Sequence, residues 1–359
     1  MSSKTNTKYV GMDVHQETIS IAVLDAEGKQ LMHSVIPTVA ENVIDFVEGL
    51  SGTIHLTFEE GSMSGWLYGL VAKRVAKAVV CNSRKSSLLM SGSRNDQIDC
   101  FQLADLLRLK RLSPVYHVDH GLQALKELGR TYSALTQDTT RVKNRLKALY
   151  RSQAIPNKGK TLYSQRRRKE WLDQLAKHPG LWERARSLFD AYDAMQKLRR
   201  QAEVELVAES RKYQAASWLG SIPFLGPIRT ALLIARVQTP LRFRSKRQFW
   251  AYCGFALETR SSADYRYEQG QLKRRQKPAL IRGLNFDHNH ELKQIFKGAA
   301  LAASVRPGPF REFYLGRLAK NIEPAMARLT LARKIAAIAL TLWKKGERFD
   351  PKYLKTQAA

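Results

Sequence analysis

Four acidic positions are placed where they could do chemistry together. Asp13 ends an apolar run, Val10-Gly11-Met12-Asp13-Val14, and Glu59, with Glu60 beside it, ends another, Leu56-Thr57-Phe58-Glu59. Asp96 and Asp99 are three residues apart, so one helical face presents both. A carboxylate within an apolar run is costly to bury unless it meets a positive charge. Hard divalent cations take all-oxygen ligand sets, and two Mg²⁺ ions about 4 Å apart can neutralise the charge that builds up on a phosphodiester during transfer. Singly, each acid has a plainer explanation: Asp96 as a helix cap, Asp99 as a partner of the helix dipole, Asp13 as a turn acid. Together, Asp13, Glu59, Asp96 and Asp99 form a candidate ligand set for two Mg²⁺ ions.

The elements that must position these acids follow from local pattern. Residues 8–14, 18–24 and 30–36 read as strands, with a turn at Asp25-Ala26-Glu27-Gly28; 41–50 has helical apolar spacing, and 53–58 is a strand. A helix over 64–74, a strand over 76–81 and a helix over 96–109 complete the order βββαβαβα. That order fits a mixed sheet covered by helices, the plan of the ribonuclease H-like fold. Two acids would then stand at strand ends, and two at a helix start.

Charge divides the chain of 359 residues. Residues 1–110 hold 11 Lys+Arg against 12 Asp+Glu, whereas the whole has 60 against 32, so the excess lies in the remainder. A near-neutral part joined to strongly basic ones suggests chemistry in the first and grip on a polyanion in the others. With 44% hydrophobic residues the chain can fold, and it has no apolar run long enough for a membrane span. Cys81, Cys100 and Cys253 are too scattered for a disulfide framework or zinc knuckle, and the first residues lack a signal pattern; a reducing cytoplasm is expected.

Beyond residue 120 the pattern changes to long helices. Leu122, Leu125, Leu128, Tyr132, Leu135, Val142, Leu146 and Leu149 recur at three- and four-residue steps, and a second helix is expected over 179–212, giving an antiparallel, coiled-coil-like arm. The stretch 154–169, with Pro156 and Arg166-Arg167-Arg168-Lys169, reads as a loop or linker between them. Basic side chains along the arm, Arg141, Lys143, Arg145, Lys147, Arg166, Arg167 and Arg168, are candidate contacts to nucleic acid. The interleaved Tyr150, Tyr163, Trp171 and Trp182 either stack on unpaired bases or pack the arm. Ile222-Pro223-Phe224-Leu225-Gly226-Pro227 precedes an apolar helix, a hairpin whose turn at Gly226 could hold a phosphate on backbone N–H groups. The expected division is 1–115, 116–215 and 216–359.

These residues resemble the DEDD-type insertion-sequence transposases, the family of the Piv DNA invertase and the bridge-RNA-guided recombinases. Gly11-Met12-Asp13-Val14 is similar to the first-strand aspartate motif, Phe58-Glu59-Glu60-Gly61 to Tyr-Glu-Ala-Gly, and Arg94-Asn95-Asp96-Gln97-Ile98-Asp99 to Lys-Thr-Asp-x-x-Asp. In the C-terminal half, 222–227 resembles Ile-Pro-Gly-Ile-Gly-Pro, and 242–254 resembles Phe-x-Ser-x-Arg-Gln-Leu-x-Ala-Tyr-x-Gly. The family's serine then falls on Ser261 or Ser262; Ser262 matches best, with Ala263 where glycine is usual.

The resemblance implies a RuvC-like N-terminal domain carrying the DEDD acids, a helical arm, and a mainly α C-terminal domain carrying the serine. It implies a DNA recombinase of a mobile element: the serine attacks a DNA phosphate, and Mg²⁺ is held by Asp13, Glu59, Asp96 and Asp99. Its implied partners are double-stranded donor and target DNA, a noncoding bridge RNA, and further copies of the chain as a dimer or tetramer, in a prokaryotic, nucleoid-associated setting. Two alternatives remain: a structure-selective nuclease using water on the same acids, and a noncatalytic nucleic-acid binder. A sugar kinase also opens with an aspartate on a three-strand meander, but glycine-rich phosphate loops are missing after Asp13.

Overall fold

The computed structural model describes residues 6–82, 95–117, 121–157, 159–260, 265–269, 271–274 and 280–355, which fall into two compact units, 1–119 and 120–359. Arg94, Ser261, Ser262 and Ala263 lie outside the described residues.

The first unit is a six-stranded mixed sheet with flanking helices. In chain order it runs β1 (Thr7–Val14), β2 (Thr18–Leu24), β3 (Gln30–Pro37), α1 (Ala40–Glu48), β4 (Thr53–Glu59), α2 (Ser64–Val71), β5 (Lys77–Cys81), α3 (Asp96–Arg108) and β6 (Pro114–Val115). Spatially the order is β3-β2-β1-β4-β5-β6. The first three strands form an antiparallel meander, and β4 and β5 then join in parallel. Among the described residues the elements from β1 to α3 follow the order read from the sequence; the short edge strand β6 was not expected.

Strand alternation sorts the residues onto two faces. Val10 and Met12 of β1, Ile19, Ile21 and Val23 of β2, and Ile54, Leu56 and Phe58 of β4 pack with Val43 and Val47 of α1 and Leu67 and Val71 of α2. The opposite face carries Gly11, Ser20, Ala22 and Thr57, and there α3 lies close to the backbone. A Cβ at Gly11 would stand 2.1 Å from the Cys100 carbonyl oxygen and 2.6 Å from the Ala104 nitrogen. Glycine at this position is therefore what lets the helix settle onto the sheet.

The second unit is largely helical. Its arm pairs α4 (Gln123–Arg151), about 43 Å long at 1.5 Å per residue, with α6 (Pro179–Ser210). Two separate cores hold the ends of this pair. At the base, Leu122, Leu125 and Leu206 belong to a core shared with α8 (Pro227–Val237), α10 (His290–Val305) and α12 (Pro324–Lys345). At the tip, Val142, Leu146, Leu149 and Tyr150 pack with Leu162, Trp171, Leu175, Phe189 and Tyr192.

The stretch expected as a linker is instead folded against the tip. Short 3₁₀ turns at Thr161–Tyr163 and Gln165–Arg167 lead into α5 (Arg168–Asp173), with Leu162 and Trp171 buried as anchors. The expected hairpin is present as α7 (Ala215–Gly220) followed by α8, with α9 (Lys246–Tyr252) beyond it. Small two-stranded sheets, β7 (Leu257–Arg260) with β10 (Leu280–Leu284) and β8 (Tyr265–Glu268) with β9 (Gln271–Arg274), complete the described strands of this unit; α11 (Pro309–Leu318) and α13 (Lys352–Lys355) complete its described helices. No helix among the described residues is long and apolar enough to cross a membrane.

Candidate active site

Asp13 sits at the carboxyl end of β1, opposite Ser20 of β2, one position beyond the last pair, Met12 with Phe58, that β1 makes with β4. Continuing that register puts Glu59 beside Asp13. Alternation gives both the same face as Gly11 and Thr57, the face on which α3 lies. Glu60 is exposed, and its backbone N–H donates to the Cys81 carbonyl at 2.8 Å, so it is Glu59 that falls on the site face.

α3 brings the second pair of acids. Asn95 caps the helix, its side chain accepting from the Ile98 N–H at 2.8 Å, so the Asp96 carboxylate is not used as the cap. Asp96 and Asp99 both stand in the first turn, where the helix dipole favours negative charge. One Asp99 oxygen, Oδ1, is buried without a hydrogen-bond partner among the described residues. Such an oxygen is costly to leave unpaired, and a metal ion is a natural partner for it.

Asp13, His15 and Asp96 offer ligand atoms that all lie within 4.8 Å of one another. His15 Nε2 is 3.1 Å from Asp13 Oδ2 and 3.6 Å from Asp96 Oδ1, so one nitrogen stands between the two carboxylates. Among the described residues Glu59 and Asp99 are not within this tight group. Burial holds the Asp13 carboxyl above its ordinary range; the neighbouring His15 opposes that rise, and the negative charges of Asp96 and Asp99 reinforce it. A half-buried acid crowded by two more acids is the electrostatic condition that a divalent cation relieves. The donor set is dominated by carboxylate oxygen, which suits Mg²⁺ or a similar hard cation better than a soft one.

His15 was absent from the acids read as ligands, although a signal existed: it lies two residues after Asp13, the spacing that returns a strand to the same face. A buried polar chain also runs beneath the acids, from Cys100 Sγ to Ser20 Oγ at 3.5 Å and from Ser20 Oγ to His33 Nε2 at 3.1 Å. Burial pushes the Cys100 thiol up, and the Asp13 charge adds to that rise.

In the second unit, the expected nucleic-acid contacts divide. Arg145, Arg166 and Arg167 are exposed, Arg141 is exposed and paired with Asp138 at 2.6 Å, and Lys143 and Lys147 are half-buried against aromatic rings. Arg168 is engaged inside the arm, with Nη2 donating to Asp193 at 2.8 Å, Nη1 donating to the same carboxylate, and the guanidinium 4.9 Å from the Phe189 ring centre. Of the aromatics, Tyr150 and Trp171 pack edge to face in the tip core, while Tyr163 and Trp182 are partly exposed. Gly226 precedes α8 in an open turn, since a Cβ there would meet nothing within 4 Å.

Comparison with known proteins agrees with this layout. Residues 10–152 match a family model of DEDD transposases of the IS110 type, described as transposase, and residues 216–315 match the model described as transposase of the IS116/IS110/IS902 family. The chain belongs to the IS110-type DEDD transposase family. It is 27% identical over 182 residues, half of its length, to a protein of Sinorhizobium fredii (strain NBRC 101917 / NGR234) named as a transposase, y4pF/y4sB. It is 26% identical over 144 residues to the uncharacterized 44.8 kDa protein of insertion element IS116 from Streptomyces clavuligerus. These matches span 45% and 33% of the two relatives, less than half of either. The first match runs from Val10 within β1 through α4 and covers all four acids, and the second covers the hairpin at Gly226.

Proposed function

We propose that the chain is the recombinase of a mobile insertion sequence, cutting and rejoining DNA through a serine–phosphodiester intermediate in a ribonuclease H-like (RuvC-like) setting. The observation that carries this reading is the meeting of Asp13, His15 and Asp96 on the site face of a mixed sheet, with a buried Asp99 oxygen on the same helix as Asp96 that has no hydrogen-bond partner among the described residues. Asp13, Glu59, Asp96 and Asp99 would hold Mg²⁺, two ions in this reading, and the metal would supply charge stabilisation to the phosphate.

The chemistry asked of the chain's own residues is a transesterification. The hydroxyl of Ser262, or of its neighbour Ser261, gives up its proton as Oγ bonds to phosphorus; the P–O3′ bond breaks, and O3′ leaves as a hydroxyl after taking a proton. The bond energy is kept in the 5′-phosphoserine link, so a second 3′-hydroxyl can attack it and release the serine. An alkoxide precursor is a weak nucleophile near neutral pH, which is why the acids are needed alongside the serine.

The basic second unit would grip the phosphate backbone of donor and target DNA, with Arg141, Lys143, Arg145, Lys147, Arg166, Arg167 and the Gly226 turn as contacts. A noncoding bridge RNA would choose the sites by pairing, the chain acting as a homo-oligomer, dimer or tetramer, associated with the nucleoid in a prokaryotic cytoplasm. The family matches support the transposase part of this reading, and the charge division supports a polyanionic partner.

The test is strand exchange on DNA spanning the ends of the element that encodes the chain, with copurifying RNA and Mg²⁺ present. Product should vanish in Asp99→Asn, and a protein–DNA adduct stable to denaturant should vanish in Ser262→Ala while surviving in Ser261→Ala. Joined product from a chain lacking both serines would overturn the covalent route in favour of a water-using nuclease.

A further inference from the structure

The tip of the arm carries a built recess that the acids do not use. Thr140, Lys143, Asn144 and Lys147 fall at i, i+3, i+4 and i+7 on α4, and with Lys160 they line a hollow of about 530 Å³. Across the tip, Arg166, Lys197 and Arg200 line a second hollow of about 660 Å³. Tyr163, Ser164 and Tyr192 border both, so the two are continuous around the Tyr163 ring. Each lies within the roughly 300–1,000 Å³ range of small-ligand clefts.

Charge in this recess is one-sided. Among the described residues six cations and one carboxylate, Asp193, line the two hollows, and that carboxylate is engaged by Arg168, which lies against Phe189. Lys143 Nζ lies 5.3 Å from the centre of the Tyr163 ring and 5.6 Å from that of Tyr192, and Lys147 Nζ lies 5.9 Å from Tyr163. Tyr192 is 7% exposed and serves as the floor, its ring centre 5.5 Å from that of the half-buried Tyr163. Burial, with the charges of Arg199, Lys160 and Lys147, holds Lys143 below the usual lysine range. A cation made less stable by its neighbours gains when an anion arrives, and lysines resting on a tyrosine cover the surface on which a base would stack.

We infer that the arm tip binds an unpaired stretch of nucleic acid, its phosphates drawing Lys143, Lys147 and the cations across the recess while a base stacks on Tyr163. The inference rests on the nucleic-acid reading of the second unit and adds to it a strand type and a place. A recess takes a base that is free to leave its stack; in a duplex the bases are already paired and stacked inside, and only the backbone is offered. The unpaired segment can belong to RNA or to DNA, which share phosphate and base faces.

The test uses the full chain and labelled oligonucleotides of about twelve nucleotides, within the span of known single-strand sites: RNA, DNA of the same sequence, and the duplex, read by fluorescence anisotropy across a salt series. Tyr163→Leu should weaken single-strand binding about tenfold, as loss of one stacked base does. Tyr163→Phe should bind as wild type, and the duplex should be insensitive to both. Lys143→Gln with Lys147→Gln should lower the single-strand salt slope by about 0.7 for each charge removed. A bromouridine-bearing strand should crosslink to the peptide holding Tyr163. Tighter binding of RNA assigns the recess to a strand read through its 2′-hydroxyls, and equal binding assigns it to features common to both; either supports the inference. Wild-type affinity of a folded Tyr163→Leu chain for single strands, or absence of that crosslink, overturns it. Absence of strand exchange by the wild-type chain with these affinities intact would count against the recombinase reading alone.

Discussion

In the sheet unit, carboxylates reach one place from a strand end and a helix start; in the arm tip, cations reach one recess mainly from two helices and the turns between them. The acids are crowded at a cost that burial increases; the cations are crowded too, as the lowered Lys143 shows, but long side chains resting on tyrosine faces soften that cost. The contrast separates two ways of building a charged site. One requires tight tertiary placement and a bound counter-ion; the other tolerates movement of long side chains. A change at the acids should therefore be far more damaging to function than a change of one cation at the tip.

The largest effect is expected at Asp99, whose buried Oδ1 has no hydrogen-bond partner among the described residues. Asp99→Asn removes a negative charge and leaves the fold's contacts in place. If the metal supplies several kcal/mol of charge stabilisation, strand exchange should fall about a thousandfold. Titration calorimetry with Mg²⁺ and substrate should show the affinity falling in parallel. Near-normal exchange with normal metal uptake would remove Asp99 from the site and break the contrast on its acidic side.

Next comes Gly11→Ala. The added methyl would lie inside the contact distance of two α3 backbone atoms, so the helix must move off the sheet. Overpacking of this kind costs about 1–3 kcal/mol. The more telling consequence is displacement of Asp96 and Asp99 from Asp13, and an error of about 1 Å can cost a hundredfold in rate. Activity should thus fall more than thermal stability does. A variant with unchanged activity would show that α3 does not set the geometry of the acids.

A moderate effect is expected at the tip, where Asp193 joins the 165–168 turn to α6. Arg168 donation holds the Asp193 carboxyl below the usual carboxylate range. The group therefore contributes stability at pH values above its ordinary value of 3.8, and that contribution is lost as pH falls below it through the depressed value. Asp193→Ala should destabilise the tip by about 2 kcal/mol, typical of hydrogen bonds to charged groups, seen as faster hydrogen exchange over 161–175 at neutral pH. Exchange in the sheet unit should not change.

Much of this contrast could be read from residue types. The strand and helix signals of 1–110 were strong because each element has its own apolar period, and Asp13, Glu59, Asp96 and Asp99 fall at element ends where a short read of pattern places them well. His15 was less legible: its two-residue step from Asp13 hints at a shared face, but Val14 is the last strand residue, and the pattern does not show that the histidine lies between two acids. At the tip, Arg166, Arg167 and Arg168 are consecutive and alike; only the fold shows that Arg168 is paired with Asp193. The stretch 154–169 looked like a linker because Pro156, Gly159 and the arginines at 166–168 mask three apolar anchors, Ile155, Leu162 and Tyr163, that pack at the tip. Tyr192 was hidden within a long amphipathic helix, where an aromatic reads as core, which by burial it is.

The smallest effect sharpens the comparison from the stability side. Burial and neighbouring acids raise the Asp13 carboxyl above its ordinary value of 3.8, so the folded chain holds that proton more firmly than the unfolded chain does. Between 3.8 and the raised value, stability must fall as pH rises, and above it the full cost of the ionised form is present. Asp13→Asn removes that cost, and it should stabilise the metal-free chain at neutral pH by on the order of 1 kcal/mol, the scale on which function-bearing strain is commonly relieved. The gain should shrink as pH is lowered through the Asp13 window and should also shrink when Mg²⁺ is added, because the ion stabilises only the carboxylate. A smaller gain is expected on neutralising Lys143 at the tip, which burial and neighbouring cations hold below the usual lysine range but whose long side chain can shift toward water. Melting curves of the two variants with and without Mg²⁺ therefore compare a charge that is fixed in place with one that is free to move, and a destabilised Asp13→Asn chain would mean that His15 more than offsets the burial.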